Sequence, residues 1–178
     1  MVYKKGPRFS VRPVSEICED IDEAFDLYGA KVRSIFFPAG NSIAMPTRDL
    51  AAICRYSMAK FKGLQRITVY GSSQYIVKKG PADLAALRKA GLSRIHVGLE
   101  SGDDDILKRV KKGTNDTEQI KAGKMVKWFS SGSEAAKKEN KISVWASSTS
   151  EMIIWLSFSK YIEIVLPSLI TTCGSGVR

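Results

Sequence analysis

Cysteine and histidine are scarce in this chain, and their scarcity limits the metal chemistry that its residues can support. The chain of 178 residues holds three cysteines and one histidine. Cys18, Cys54 and Cys173 stand 36 and 119 residues apart, a spacing that suits neither a disulfide framework nor a zinc knuckle. His96 cannot complete a zinc site with thiols so widely separated. From composition alone we expect no bound metal.

Long apolar runs are also missing. The most apolar stretch, residues 152–170, is interrupted by Lys160, Glu163 and Pro167, and a membrane span needs about 18 apolar residues without such breaks. The first twenty residues contain no uninterrupted apolar core of the kind that marks a secretory signal. We therefore expect a cytoplasmic protein with no membrane partner.

Acidic residues are outnumbered, which raises the question of a polyanionic partner. The chain has 28 lysines and arginines against 18 aspartates and glutamates, a formal net charge of +10. Its densest basic segments, residues 4–12 and 108–127, carry no nucleic-acid motif. A solvated basic face and a contact with nucleic acid or another polyanion are both compatible with this pattern.

A short unit that opens with glycine recurs along the first part of the chain. Gly63 and Gly91 each begin the pattern Gly-Leu-x-Arg-Ile-x-Val, and Gly29 begins a looser version. Each copy is typical of a glycine that lies just past the end of a helix and leads into a short strand rich in β-branched residues. Apolar residues at helical spacing precede the copies, and the position of Cys18, Cys54 and Met58 on these stripes predicts that all three are core residues.

Alternating helices and strands at this spacing are typical of βα units, so we predict an α/β fold with a parallel sheet and helices on its outer face. The three predicted consecutive strands lie near residues 31–37, 65–70 and 93–98. Such a sheet is an open fragment of a barrel, and both of its edges are expected to be unpaired.

Helix-start signals accompany this pattern. Thr47 is a plausible N-cap of the second helix, and Pro81 suits the first turn of the third. Ser101 with Asp104 forms a Ser-x-x-Asp capping pattern for a fourth helix. A fifth helix is expected over residues 116–128.

In parallel βα folds, ligands bind in the loops that follow the carboxyl ends of the strands. Glu100 lies in such a loop, where its carboxylate is suited to accept hydrogen bonds from a ribose diol or an ammonium group. Glu100 and Ser101 can equally serve to cap the following helix, and the residues alone leave both roles open. His96 alternates with apolar residues inside a strand, which favours a packed, pocket-lining imidazole over a ligand or general base. The three candidate ligand loops cover residues 38–42, 71–74 and 99–102.

Residues 5–127 resemble the core domain of radical S-adenosylmethionine (radical SAM) enzymes. The resemblance rests on residues 5–13, 19–22 and 35–41, and above all on the segment AGLSRIHVGLESG at residues 90–102. It implies a partial parallel (βα) barrel that holds a 4Fe–4S cluster beside S-adenosylmethionine. In this family, reductive cleavage of that cofactor yields a 5′-deoxyadenosyl radical, which abstracts hydrogen from the substrate.

The resemblance also implies cofactor-binding residues. The family's glycine-rich turn, which meets the amino group of the cofactor, matches Gly40 and Asn41. The polar residue that meets the ribose matches Glu100. These positions fall in the loops that the strand pattern had already marked as ligand loops, whereas no catalytic residue can be assigned.

One expected motif of the family is missing from the sequence. The cluster motif Cys-x-x-x-Cys-x-x-Cys should lie immediately before Tyr3, and this chain begins at Met1. Cys18 and Cys54 cannot replace it, because both lie on apolar helix stripes. We therefore expect a chain that is truncated before the first helix, holds no cluster and is inactive as written.

The last part of the chain departs from the family as well. The resemblance stops near Lys127, and all three tryptophans lie within residues 128–178. Codons for residues 131–138 can be chosen so that a shifted frame encodes Gly-Leu-Gly-Gly-Arg-Lys, which is similar to a glycine-rich loop of the family. Residues 1–127 are thus predicted to form a partial barrel. Residues 128–178 form either a frameshifted tail or a genuine appendage of helix and strand.

Three hypotheses about function follow from these observations. The first is a fragment of a radical SAM enzyme. The second is a cluster-free nucleotide-binding module that keeps a pocket formed by Gly40, Asn41 and Glu100. The third is a basic polyanion-binding protein, and its candidate contacts are Lys108, Arg109, Lys111 and Lys112.

Overall fold

Helices and strands alternate along the chain in the order that the glycine repeats predicted. The structure is a computed structural model, and it describes residues 10–38, 41–131, 145–146, 162–165 and 170–171. The helices are α1 (Val14–Tyr28), α2 (Thr47–Lys60), α3 (Ser73–Lys89), α4 (Asp104–Arg109) and α5 (Asp116–Ser131). The strands are β1 (Ser10–Val11), β2 (Val32–Phe37), β3 (Arg66–Gly71), β4 (Arg94–Leu99), β5 (Trp145–Ala146), β6 (Ile162–Val165) and β7 (Ile170–Thr171).

The centre of the molecule is a parallel sheet. Strand β3 pairs in parallel with β2 on one side and with β4 on the other, and Val69 is the partner of both Phe37 and Ile95. Helices α2 and α3 make the crossover connections between these strands, as βα units require. The predicted α/β fold with three consecutive parallel strands is confirmed.

The expectation of two open sheet edges is wrong. The full strand order is β5-β4-β3-β2-β6, and both outer pairings are parallel. An unpaired edge presents a row of backbone N–H and C=O groups that any extended segment can satisfy. Backbone pairing of this kind depends little on side chains, so the strand pattern did not reveal it. A separate antiparallel pair joins β1 to β7.

The buried apolar side chains of the described residues form one core between the helices and one face of the sheet. Ile35, Ile67 and Ile95 occupy the central strands and belong to one buried cluster with apolar residues of α1, α2, α3 and α5. Cys54 is fully buried in this cluster, as its stripe predicted. Cys18, also predicted as core, is only partly buried on α1. Met58, the third of these residues, is 39% exposed. It lies at the rim of the helical layer, where its side chain packs over the glycine that follows α3.

Two of the three predicted helix starts need correction. Thr47 does not cap α2, because its hydroxyl donates to Asp83 Oδ2 at 2.7 Å, and Pro46 takes the N-cap position. Helix α4 is capped by Asp103, not by Ser101. The third prediction agrees with the structure, since the chain kinks at a glycine with φ of +75° and resumes its helix at Pro81. No helix among the described residues combines the length and the apolar character that a membrane crossing requires.

Candidate cofactor site at the carboxyl edge of the sheet

The loops that follow β2 and β3 are tied together by one side chain. Asn41 Oδ1 accepts a hydrogen bond from the backbone N–H of Ser72 at 2.9 Å. The Asn41 amide nitrogen donates in turn to Ser72 Oγ at 3.2 Å. This pair of bonds spans two neighbouring strands, so Asn41 fixes the relative position of the two loops. One hydrogen of its amide group remains outside these two bonds.

The loop after β4 is held by an ion pair. Lys112 Nζ lies 2.7 Å from Glu100 Oε1. The backbone delivers Lys112 to this place through the end of α4. There Lys111 adopts φ of +54°, and the N–H of Lys112 donates to the carbonyl of Leu107. A Cβ at Gly98 would stand 3.5 Å from the Lys112 ammonium, an ordinary contact distance, so the lysine passes close to the end of β4.

The two roles left open for Glu100 can now be compared. The cap of α4 is Asp103, whose Oδ1 accepts from the backbone N–H groups of Asp105 and Ile106. Ser101 Oγ accepts from the N–H of Asp103 at 3.0 Å and so orders the turn before the helix. The carboxylate of Glu100 therefore does not cap α4, and its Oε2 has no partner among the described residues.

Two adjacent clefts open at this edge of the sheet. Asn41 and Ser72 line the smaller, of about 180 Å³, together with Tyr70, Gly71, His96, Gly98 and Lys112. Glu100 lines the larger, of about 450 Å³, together with Leu99, Ser101, Gly102, Asp116, Gln119, Ile120 and Gly123. The structure thus brings Asn41 and Glu100 to the same edge but into neighbouring clefts, with Lys112 between them. Gly40, the third predicted site residue, lies outside the described residues.

Aromatic packing accounts for His96. The ring centroid of His96 lies 5.8 Å from that of Phe36 and 5.9 Å from that of Tyr70, while the Phe36 and Tyr70 centroids are 5.0 Å apart. The three residues stand on neighbouring strands and share the sheet face opposite the core. The prediction that His96 is a packed, pocket-lining imidazole is confirmed.

The described thiols are poorly suited to bind iron. Cys54 is fully buried, and burial raises the pKa of its thiol to about 12. Burial, and secondarily the charge of Asp22, also raises the pKa of Cys18. Within residues 10–38 and 41–131 and the short strands beyond them, no three His, Cys, Asp or Glu residues group in a way that could hold a metal ion. An iron–sulfur cluster needs thiolate ligands, so the described residues do not fit one. Cys173 lies outside them.

The basic residues of the third hypothesis do not form a bare cationic surface. Lys112 is paired with Glu100, and Lys108 Nζ lies 3.6 Å from Asp105 Oδ1. Three consecutive aspartates, residues 103–105, precede this lysine on or next to the same short helix. The local charge is therefore mixed, which weakens the case for a polyanion contact here.

A parallel sheet with helical crossovers and polar loops at its carboxyl edge defines the class of α/β proteins that bind cofactors at that edge. A family model described as the Radical SAM superfamily matches residues 2–127. The chain therefore belongs to the radical SAM superfamily, as the sequence resemblance implied. The comparison with curated proteins and the comparison with solved structures each gave no match.

The larger cleft has a size and a polar side chain that fit the cofactor of this family. The described thiols, in contrast, do not fit its iron–sulfur cluster. Members of the superfamily are generally associated with S-adenosylmethionine and a 4Fe–4S cluster. A volume of about 450 Å³ lies in the range of small-molecule sites. Glu100 brings a carboxylate oxygen that can accept from a hydroxyl group, and the buried Gln119 amide nitrogen has no hydrogen-bond partner among the described residues. The Glu100 carboxylate thus suits a ligand that carries hydroxyl groups.

Sequence reasoning missed the four residues that α5 contributes to the larger cleft, which are Asp116, Gln119, Ile120 and Gly123. Asp116, Gln119 and Gly123 follow one another at i, i+3 and i+7, which places them on one face of α5. The signal was present in the sequence, since α5 was predicted and its other faces carry lysines and apolar residues. A stripe made of acid, amide and glycine is unusual for a helix face that packs on a core.

Proposed function

We propose that this chain forms the S-adenosylmethionine-binding side of a radical SAM active site and does not assemble the iron–sulfur cluster by itself. The observation that carries the proposal is the placement of Glu100 at a cleft of about 450 Å³. Lys112 engages one of its carboxylate oxygens, and the other has no partner within the part of the chain that the structure describes. Membership of the superfamily supports the choice of cofactor.

Glu100 and Lys112 would act together on the cofactor. A carboxylate can accept hydrogen bonds from both hydroxyls of a ribose, and the ion pair with the ammonium group of Lys112 orients that carboxylate. When bound, S-adenosylmethionine supplies the radical chemistry of the family. The residues of this chain bind and orient it.

Asn41 would contribute mainly by position. Its two bonds to Ser72 hold the loops after β2 and β3 in register. The remaining amide hydrogen can donate to a polar group of the ligand at the smaller cleft. Gly40 precedes Asn41 and stays a prediction as the second residue of this turn.

The cysteines support the second half of the proposal. The chain contains only three, and none lies within 35 residues of another. The radical chemistry of the family requires a cluster held by cysteine sulfur. On this proposal the chain is a fragment of a radical SAM enzyme and is inactive in isolation. Cys54 is buried and so cannot serve as a cluster ligand. This observation favours one other candidate function, a nucleotide-binding module that uses the same cleft and holds no cluster.

Calorimetric titration with S-adenosylmethionine tests the site. Because the iron that normally anchors the methionine end of the cofactor is not supplied, we expect weak binding, with Kd on the order of millimolar or above. Glu100→Ala should abolish that binding, because an unpaired ribose diol in a pocket costs about 1–3 kcal/mol. Glu23→Ala, which removes an exposed carboxylate from the middle of α1, is the matched control and should bind like the unmodified chain.

Two results would count against the proposal. Equal binding by the unmodified chain and by Glu100→Ala would remove Glu100 from the site. Micromolar binding by the unmodified chain would show that the pocket is complete without a cluster. The fragment interpretation would then give way to the nucleotide-binding module, which should also accept adenosine nucleotides lacking the methionine group.

A further inference from the structure

We infer that Lys79 is a positioning residue of the cofactor site, because it holds the segment 41–47 in the place from which Asn41 contacts the ligand. The inference rests on the proposed function, in which the Asn41 amide donates to the ligand at the smaller cleft. It goes beyond that function by assigning a role in binding to a side chain of α3 that lies outside the lining of both clefts.

The first observation is the pair of bonds that the Lys79 ammonium makes at the end of this segment. Lys79 Nζ donates to the carbonyl of Met45 at 2.8 Å and to Thr47 Oγ1 at 3.0 Å. Thr47 Oγ1 donates in turn to Asp83 Oδ2 at 2.7 Å, and Asp83 follows Lys79 on α3. Two side chains of α3 therefore fix the chain where it enters α2.

The second observation is a continuous run of hydrogen bonds from this anchor back to the ligand-binding residue. A short 3₁₀ turn, Ser42–Ala44, lies between Asn41 and Met45. The N–H of Met45 donates to the carbonyl of Ser42 at 3.2 Å, and the N–H of Ala44 donates to the carbonyl of Asn41 at 2.8 Å. Met45 is also fully buried. Because each group is bonded to the next, a displacement of Met45 is expected to move Asn41 with it.

The third observation is that one short piece of α3 contacts both ends of the segment. Ser72, the N-cap residue of α3, exchanges two hydrogen bonds with Asn41. Lys79 lies at the other end of this piece, because the helix is interrupted at Gly80, which adopts φ of +75° and ψ of 173°. Residues 73–79 thus form a piece of about two turns that holds the segment at its start and near its end.

The fourth observation is the charge at this half-buried position. Burial lowers the pKa of Lys79, and the charge of Asp83 opposes this effect only in part. An apolar side chain of similar length would pack here without losing the hydration of an ammonium group. The two hydrogen bonds to the segment explain why a lysine occupies the position.

The test uses the full chain, with the neighbouring lysine as its control. Lys79→Met keeps the length of the side chain and removes both bonds, whereas Lys78→Met changes an exposed lysine of the same helix. Affinity for S-adenosylmethionine is measured by nuclear magnetic resonance titration, after urea unfolding has shown that each variant is folded. We expect Lys79→Met to weaken binding about threefold to tenfold, which corresponds to the loss of one hydrogen bond. Lys78→Met should bind like the unmodified chain.

A double-mutant comparison separates positioning from a purely structural role. Asn41→Ala removes the residue on which Lys79 is inferred to act. If Lys79 acts through Asn41, adding Lys79→Met to Asn41→Ala should weaken binding no further. Spectra recorded without ligand provide a second readout. Lys79→Met should shift the signals of the Asn41 side-chain amide and of the Ser72 N–H, and Lys78→Met should leave both in place.

The outcomes distinguish this inference from the function on which it rests. If Glu100→Ala abolishes binding while Lys79→Met binds as tightly as the unmodified chain, the inference is wrong and the proposed function stands. The inference is also wrong if Lys79→Met weakens binding equally with and without the Asn41 side chain, or if it leaves the Asn41 and Ser72 signals unchanged. If the unmodified chain does not bind S-adenosylmethionine, the proposed function fails and the inference falls with it.

Discussion

At the scale of single residues, the site is built by side chains whose partners lie far away in the sequence. Lys112 reaches Glu100 across twelve positions, and Asn41 reaches Ser72 across thirty-one. Neither pairing follows a helical or strand period. The Asn41–Ser72 pairing depends on the parallel sheet, which brings the ends of consecutive strands to one edge. Lys112 is brought to Glu100 by the turn that ends α4.

Lys79 shows how one half-buried charge supports the same edge. Its ammonium donates to the carbonyl of Met45 at 2.8 Å and to the hydroxyl of Thr47 at 3.0 Å. Burial lowers the pKa of Lys79, although the charge of Asp83 opposes the effect. The ammonium group thus fixes the segment that follows Asn41 by two hydrogen bonds, and it loses part of its contact with water in doing so.

Cys54 provides a prediction at the residue scale. Because burial raises the pKa of its thiol to about 12, against about 8.5 for an exposed thiol, the folded chain should keep Cys54 protonated at pH 8. In a Cys18→Ser, Cys173→Ser background, iodoacetamide should label the native chain far more slowly than the urea-unfolded chain. The measurement is mass spectrometry of the alkylated fraction over time.

The same shift predicts the pH dependence of stability. A thiol whose folded pKa is raised contributes stability that is intact below its unfolded pKa. That stability is lost as the pH rises from there toward about 12. Cys54→Ala should flatten this alkaline part of the stability curve. Rapid native labelling at pH 8 would show that Cys54 is accessible and would contradict its place in the core.

At the scale of elements, a glycine that ends a helix differs from a glycine inside a helix in its backbone angle and in the space around it. Gly91 follows α3 with φ of +110°, and its N–H donates to the carbonyl of Arg88 at 2.9 Å. A Cβ at this position would stand 2.7 Å from Met58 Cγ. Both the backbone angle and the contact require glycine.

A matched pair of substitutions tests this distinction. Gly91→Ala should destabilise the chain by about 1–3 kcal/mol, because alanine is strained at this angle and meets Met58. Gly123→Ala should stabilise it by about 1 kcal/mol, since the position is helical and open. Urea unfolding of both variants provides the comparison. If the two substitutions change the free energy of unfolding equally, the requirement for glycine at the end of α3 is contradicted.

At the scale of the whole molecule, the sheet has five strands where the strand pattern predicted three. Short strands from residues beyond 131 pair with both outer edges of the three central strands. Whether residues 128–178 are an evolved element or a frameshifted tail stays a prediction of the sequence, because backbone pairing occurs for either origin.

Iron reconstitution tests the whole chain. Incubated with iron and sulfide without oxygen, the purified protein should not acquire the visible absorption of a 4Fe–4S cluster, because its cysteines cannot provide three neighbouring thiolates. Iron and sulfide analysis after desalting gives the stoichiometry, and Cys173→Ala checks for iron held by that thiol alone. A stoichiometric cluster would contradict the expectation from cysteine spacing.

Much of the fold could be predicted from the sequence, because its signals are local. The apolar stripes of α1 and α2, the glycine before each strand and the β-branched runs each act within a few residues of one another. Glu100 was marked for the same reason, since it directly follows a strand. The resemblance of residues 90–102 added the family, which the family model then confirmed.

The tertiary structure decided what depends on contacts between distant segments. Thr47 bonds to Asp83 rather than capping its own helix, Lys112 pairs with Glu100, and Gln119 is buried without a partner among the described residues. The sheet edges are paired by strands with no distinctive pattern. Local periodicity records which face of an element is apolar, but it carries no information on which polar groups meet once the elements pack. That pairing is set only when the backbone brings them together.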